Sequence, residues 1–391
     1  GAYKTRLLVY RPAEPERFNG TVIVTWNNVT AGYELFGADS LEVLEGGYGL
    51  VCAGVQRAGI EGLPPIKQGL ATWDAERYGS LNIPSDDFSY DIFTQIGKSV
   101  GPDRDLSALD PMAGLQVKRV IAQGASQSAG RLATYFNAIA PFNRSFDGFI
   151  LSIYFGRGTP LQVGEELVNI NNAQYNDSPA DQLRGANLLR DDLEQPVFIV
   201  NSELEAMACY GVRQPDTSKL RWWESAGTCH VSQQSRAARK VMAGRDRLVT
   251  ADADEGINAI PIGPLYDSAF YHMHRWLSEG VAPPIQPRIE FDDSGSIIRD
   301  DDGIAKGGIR LPQVEVPLAI NNAIPLKPDI FAYLGGSSHP FPKEEILTRY
   351  VDRNSFLKAF ESAAELAVEE GVLMPREIAR LTKEASEVWP E

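Results

Sequence analysis

Short apolar runs rich in β-branched residues alternate along this chain with segments whose apolar positions recur at helical spacing. Residues 5–10, 21–26, 49–54, 117–122, 146–153, 196–200 and 221–227 read as strands, several of them apolar on both faces, as buried parallel strands are. Helical spacing marks residues 89–96, the stretch after Gly124 with Leu132, Tyr135 and Phe136, and residues 267–279 with Phe270, Met273, Trp276 and Leu277. Two further amphipathic helices, 352–370 and 375–388, are broken at Gly371; Phe356, Phe360, Ala363, Ala364 and Ala367 share one face and predict docking on the body. Strands alternating with helices predict an α/β fold around a mostly parallel sheet.

Two long connections interrupt that rhythm. Residues 56–115 carry Pro64-Pro65, Trp73-Asp74 and Pro84, and residues 156–194 are polar; they are expected to form a rim and a cap, and their aromatics, Trp73, Tyr78, Phe88, Tyr90, Tyr154 and Phe155, are candidates for pocket or core. Residues 288–391 read as a C-terminal extension with a hairpin at 289–298 and a turn at Asp300 to Gly303, so residues 1–391 are expected to form a single domain with additions.

Composition narrows the function classes. The 391 residues are 43% hydrophobic without any apolar run near membrane-span length, which predicts a soluble globular chain. A formal net charge of −15 repels polyanions, so neither nucleic acid nor an anionic membrane surface is expected as a partner. The stretch from Gly1 has no charged-then-apolar leader, and it leaves export and compartment open. Of three cysteines, Cys52 sits in a buried run, whereas Cys209 and Cys229 flank the segments that carry the candidate acid and histidine; a disulfide between them would tie those loops together and favour a secreted or periplasmic setting. Asp103, Asp105 and Asp110, and again Asp300 to Asp302, lack compact ligand spacing, so no metal is expected.

The chemistry centres on Gly124-Ala125-Ser126-Gln127-Ser128, which lies between the strand at 117–122 and a helix. A nucleophile elbow belongs at such a junction: the turn holds its serine in a strained conformation and requires small residues two places to either side, here Gly124 and Ser128. Ser126 is therefore the candidate nucleophile, with Ser128 as its rival inside the helix. The Gln127 N–H is placed to face a developing oxyanion, and the polar loop Asn27 to Gly32 after the second strand offers a second N–H near Asn28. Past the late strand at 196–200 stand two carboxylates, Glu203 and Glu205; Glu205 has the better spacing for the acid that orients a histidine, and Glu203 is the alternative. Four histidines are present, and His230 alone follows both the acid and a strand, completing the chain order Ser, Glu, His. His272 and His274 fall on a helix at a spacing that cannot share a face, and His339 falls in a glycine-rich surface loop.

These residues resemble an esterase-like α/β-hydrolase family that shares a Gly-x-Ser-Gln-Ser-x-x-Arg elbow, here Gly124 to Arg131. The likeness extends to Tyr3 to Arg6, Gly20 to Val24 with Asn28-Val29, Trp73-Asp74, Arg77 to Leu81, Trp223-Glu224 with Ala226-Gly227 and His230, and Gly307 to Arg310. It implies an α/β-hydrolase fold with Ser126 as nucleophile and His230 as base; one departure is Glu205 where an aspartate is expected. The combined reading is a serine esterase that acts on a small-molecule ester without a cofactor. Its alternatives are an acyltransferase built on the same residues and a catalytically silent binding protein.

Overall fold

The computed structural model of the chain describes residues 1–37, 40–107, 109–164, 187–249, 256–327 and 330–390. The apolar runs form β1 (Leu7–Tyr10), β2 (Thr21–Trp26), β3 (Gly49–Ala53), β4 (Arg119–Ala125), β5 (Gly148–Ser152), β6 (Val197–Ser202) and β7 (Leu220–Ser225). They make one seven-stranded sheet, ordered β1-β3-β2-β4-β5-β6-β7, with helices flanking it. β1 is antiparallel to β3, while β3, β2, β4 and β5 run parallel. Every residue of β2, β3, β5, β6 and β7 is buried, which explains why the first four are mostly apolar instead of alternating; β7 buries Arg221 and Glu224 as well.

The described residues group into two compact units. The first comprises Gly1–Ile199, Gly211–Arg221 and Phe270–Ala282. Its core gathers Phe93, Tyr135, Phe146 and Phe149, with Phe93 stacked on Phe146 at a centroid distance of 4.7 Å. Tyr90 packs against Trp26 and Tyr154 is fully buried, so these two of the candidate pocket aromatics are core residues. His274 is held by Thr21, with Nδ1 2.8 Å from Oγ1. The cap expected at 156–194 falls mostly on 165–186, outside the described residues.

The second unit comprises Val200–Tyr210, Trp222–Ala269 and Pro283–Glu391. Phe356, Phe360, Ala364 and Ala367 of the helix Arg353–Glu369 are buried along one face. The hairpin expected at 289–298 is reduced to single bridges, Phe291 to Ile297 and Ile289 to Gly307. His339 is an exposed residue of a short strand, Ser337–Pro340, paired antiparallel with Ala319–Asn322, and not a loop residue; the polar, glycine-rich sequence around it hid the pairing. The Cys209 to Cys229 disulfide is not formed, and the compartment argument that depended on it falls with it. All three cysteines are buried thiols outside any disulfide among the described residues. Cys209 Sγ lies 3.6 Å from Asn201 Nδ2, and the Cys229 thiol donates to the Leu334 carbonyl at 3.1 Å. Burial, and then the nearby Glu205 charge, raise the Cys229 pKa and keep it a protonated donor.

Candidate active site

Ser126 stands at the end of β4 and caps the helix Gln127–Thr134 with φ 60° and ψ −118°, a conformation that a non-glycine residue adopts only under strain. Its N–H donates to the Ser152 carbonyl at 2.9 Å and its own carbonyl accepts from Ala129 and Gly130, so the turn is fixed from both sides. The close packing explains the small residues. A Cβ on Gly124 would come within 2.7 Å of the Ser128 carbonyl oxygen, which is backbone and cannot swing away. Ser128 lies inside the helix with its Oγ fully buried and without a hydrogen-bond partner among the described residues, a poor place for a nucleophile. Gln127 opens the helix, so its N–H has no acceptor within the helix and is available to an anion.

The loop after β2 departs from expectation. The Asn28 N–H is engaged: Asn28 and Leu35 form an antiparallel bridge in which it donates to the Leu35 carbonyl at 3.0 Å, so it is not an oxyanion donor. Two contacts cross from this loop to the elbow instead. Asn28 Nδ2 donates to the Ala125 carbonyl at 3.2 Å, and the Val29 N–H donates to Gln127 Oε1 at 3.2 Å.

The helix Glu203–Ala208 of the second unit follows β6 directly and is capped by Ser202. Glu205 occupies the third helical position and completes a capping box: its Oε2 accepts from the Ser202 N–H at 3.1 Å and from the Ser202 hydroxyl. Its Oε1 is 2.7 Å from His230 Nδ1. A glutamate has the reach for both tasks, which gives a reason for the departure from aspartate. Glu203 does something else. Its Oε1 accepts from Arg299 Nη2 at 2.6 Å and from the Ala323 N–H at 3.2 Å, and its Oε2 from the Gly227 N–H at 2.8 Å. It braces the turn that follows β7 and leads to His230.

A family model described as an alpha/beta hydrolase domain matches residues 1–383. The chain belongs to that family. No curated protein matches this alpha/beta hydrolase. Among solved structures, one titled PNB esterase shares 13% identity over 71% of this chain, with a TM-score of 0.26; this chain spans 61% of its length. Nothing about activity follows from so distant a likeness.

The sequence reading gave no role to two residues of this hydrolase. Arg131, on the elbow helix, is fully buried, and its guanidinium lies 5.5 Å from the Tyr90 ring centroid and 5.9 Å from that of Trp26. Asp86 Oδ2 is 3.7 Å away, beyond hydrogen-bond reach, and all three guanidinium nitrogens lack a hydrogen-bond partner among the described residues. Burial raises the Asp86 pKa, an effect that the Arg131 charge opposes. The signal in the sequence was its place as the one charged residue of the helix Gln127–Thr134, at the end of the Gly-x-Ser-Gln-Ser-x-x-Arg stretch. Tyr266, in the second unit, has a buried hydroxyl without a partner among the described residues; burial, then the Glu205 charge, hold its pKa well above the usual phenol value.

Among the described residues no helix is long and apolar enough to cross a membrane. Of the aspartates weighed as ligands, Asp110 is paired bidentately with Arg104 at 2.7 and 3.1 Å, and Asp105 accepts from Ser107.

Proposed function

We propose that this alpha/beta hydrolase is a serine esterase with Ser126 as nucleophile, His230 as general base and acid, and Glu205 as the group that orients His230. The observation that carries the reading is the backbone of Ser126. A serine held at φ 60° exactly where a strand gives way to a helix stores strain that a scaffold has no use for, whereas a nucleophile gains exposure and a helix N-terminus behind it.

Ser126 Oγ attacks the ester carbonyl as His230 takes its proton. The tetrahedral intermediate collapses and His230 returns the proton to the leaving alcohol. Water then repeats the sequence on the acyl-enzyme and frees the acid. The contact between Glu205 and His230 Nδ1 supports this division of labour, because it leaves Nε2 for the proton in transit. The Gln127 N–H stabilises the oxyanion; a single such donor contributes about 3 kcal/mol to the transition state. Side chains and water suffice for these steps, and the substrate class is a small-molecule carboxylic ester.

A fluorophosphonate probe and an activated aryl ester test the proposal. Ser126 is expected to carry the label, and Ser126→Ala to abolish both labelling and at least 10³-fold of turnover. An unlabelled Ser126 in folded protein, with turnover unchanged in the alanine variant, would sink the reading. Adding a competing alcohol and identifying the products separates hydrolysis from acyl transfer.

A further inference from the structure

In the sheet, β2 and β5 are the two neighbours of β4 and run parallel to it, so the chain leaving each of them passes beside Ser126. On the β5 side, the Ser152 carbonyl holds the Ser126 N–H at 2.9 Å, and the next residue, Ile153, has φ 45°. A β-branched side chain is a poor occupant of that left-handed region. Val351 shares the sign of φ, but it closes a helix, where such a turn is ordinary; Ile153 closes none. It stands between two buried residues, Ser152 and Tyr154, and is itself only half-buried, so its side chain takes the open side at the end of the sheet where Ser126 stands.

On the β2 side the loop folds back on itself, and Asn28 and Leu35 exchange both backbone hydrogen bonds, at 3.0 and 2.8 Å. Residues paired in this way carry their side chains on one face, with Cβ atoms about 5 Å apart. Asn28 Nδ2 reaches the Ala125 carbonyl at 3.2 Å, so the half-buried Leu35 side chain lies on the face turned to the elbow. Gly37, two residues on, faces the same way: a Cβ there would sit 3.4 Å from that of Ala125. Glu34, on the other face, turns away to Arg6.

We propose that Ile153 and Leu35 determine specificity as apolar walls on opposite sides of Ser126, and that the acyl group they select is an apolar chain of a few carbons. The inference rests on the serine-esterase reading and names the substrate class within it. After attack the acyl group stays bonded to Ser126 Oγ, between the neighbours of its own strand, whereas the alcohol departs with the proton from His230. Neither wall offers a hydrogen bond, so discrimination falls to apolar contact, in which one methylene is worth about tenfold. The strain at Ile153 fits this role. Glycine would suit the turn better and would leave the wall missing.

The p-nitrophenyl esters of acetate and butyrate test the walls. The unaltered enzyme is expected to favour butyrate by at least about tenfold in kcat/KM, and Ile153→Gly and Leu35→Ala should each cut that ratio by about fivefold or more. Ile153→Gly should melt no lower than the unaltered protein, because it relieves the strained turn. A merely structural role would lower the melting temperature and depress both esters alike; that result overturns the inference. So does an unchanged ratio, or one that moves between ethyl and butyl acetate instead, which would put the walls on the alcohol side. Ile153→Asn covers the case in which the glycine variant does not fold: asparagine also accepts a positive φ, and it should lose the butyrate preference because it makes the wall polar. If Ser126 of the unaltered protein takes no fluorophosphonate, it is the esterase reading that fails; if it does and the variants keep the butyrate preference, only the walls fail.

Discussion

Glu205 Oε1 stands 2.7 Å from His230 Nδ1, whereas Glu203, two residues earlier on the same helix, turns to Arg299 at 2.6 Å. The two carboxylates are equally buried and close in sequence, and their partners separate them. Glu205→Gln is expected to lower kcat by about 10³- to 10⁴-fold, since an amide can hold His230 in the wrong tautomer. Glu203→Gln should leave kcat per titrated site within about threefold and destabilise the fold by about 3 kcal/mol, because it leaves Arg299 without its carboxylate. Steady-state kinetics and urea midpoints on both variants check the pair; the reverse pattern would exchange their roles.

Arg131→Met leaves the buried Asp86 with hydrogen bonds from the Arg57 N–H and Gln56 but without the nearby guanidinium, which also leaves two ring faces. A loss of about 3–5 kcal/mol is expected, and the double variant Arg131→Met with Asp86→Asn should recover part of it, since the uncompensated charge goes with the second change. Denaturant titrations give the coupling; strict additivity would show that the two side chains do not act as a pair.

Gly124→Ala places a methyl group 2.7 Å from the Ser128 carbonyl oxygen. The elbow must open to admit it. Phosphonate labelling of Ser126 should fall more than tenfold, with a lower melting temperature, and normal labelling would show that the packing at this turn is looser than the structure has it.

Arg104, together with the N–H groups of Gly114 and Met112, holds the Asp110 carboxyl well below the usual carboxylate range. A depressed folded pKa contributes stability that is complete above the unfolded value, near 4, and is lost as pH falls through the folded one. Asp110→Asn should therefore cost stability at pH 7, and the difference from the unaltered protein should shrink below about pH 4. Melting curves from pH 7 to pH 2 measure it; a difference that persists undiminished in acid assigns the effect to lost shape and not to charge.

Thiol titration without reductant tests the cysteines. The three are buried thiols outside any disulfide, so the folded protein should react slowly and the denatured protein should release three thiols per chain. A count of one would mean that a disulfide had formed.

The fold and the identity of the candidate residues were legible in the sequence. Buried parallel strands write themselves as apolar runs, as β2, β3, β4 and β5 do, and the seven sheet strands all overlap the stretches read as strands. The elbow is legible for a local reason: its geometry constrains residues within five positions of one another, and Gly124, Ser126 and Ser128 satisfy those constraints in order. What depended on contacts between distant segments was not legible. Spacing ranked Glu205 above Glu203, but the contacts that separate them, a capping box that fixes Glu205 and Arg299, which lies 96 residues away from Glu203, left no mark in the sequence. Whether Asn28 keeps a free N–H is decided by its bridge to Leu35, whether two cysteines pair is decided by where Asn201 and Leu334 draw their sulfurs, and the burial of Arg131 near Asp86 and two aromatic rings is decided by segments distant from its motif. Periodicity records which face of an element is buried, but a hydrogen bond has a direction and a single partner, and the choice of partner is made only when the chain has folded.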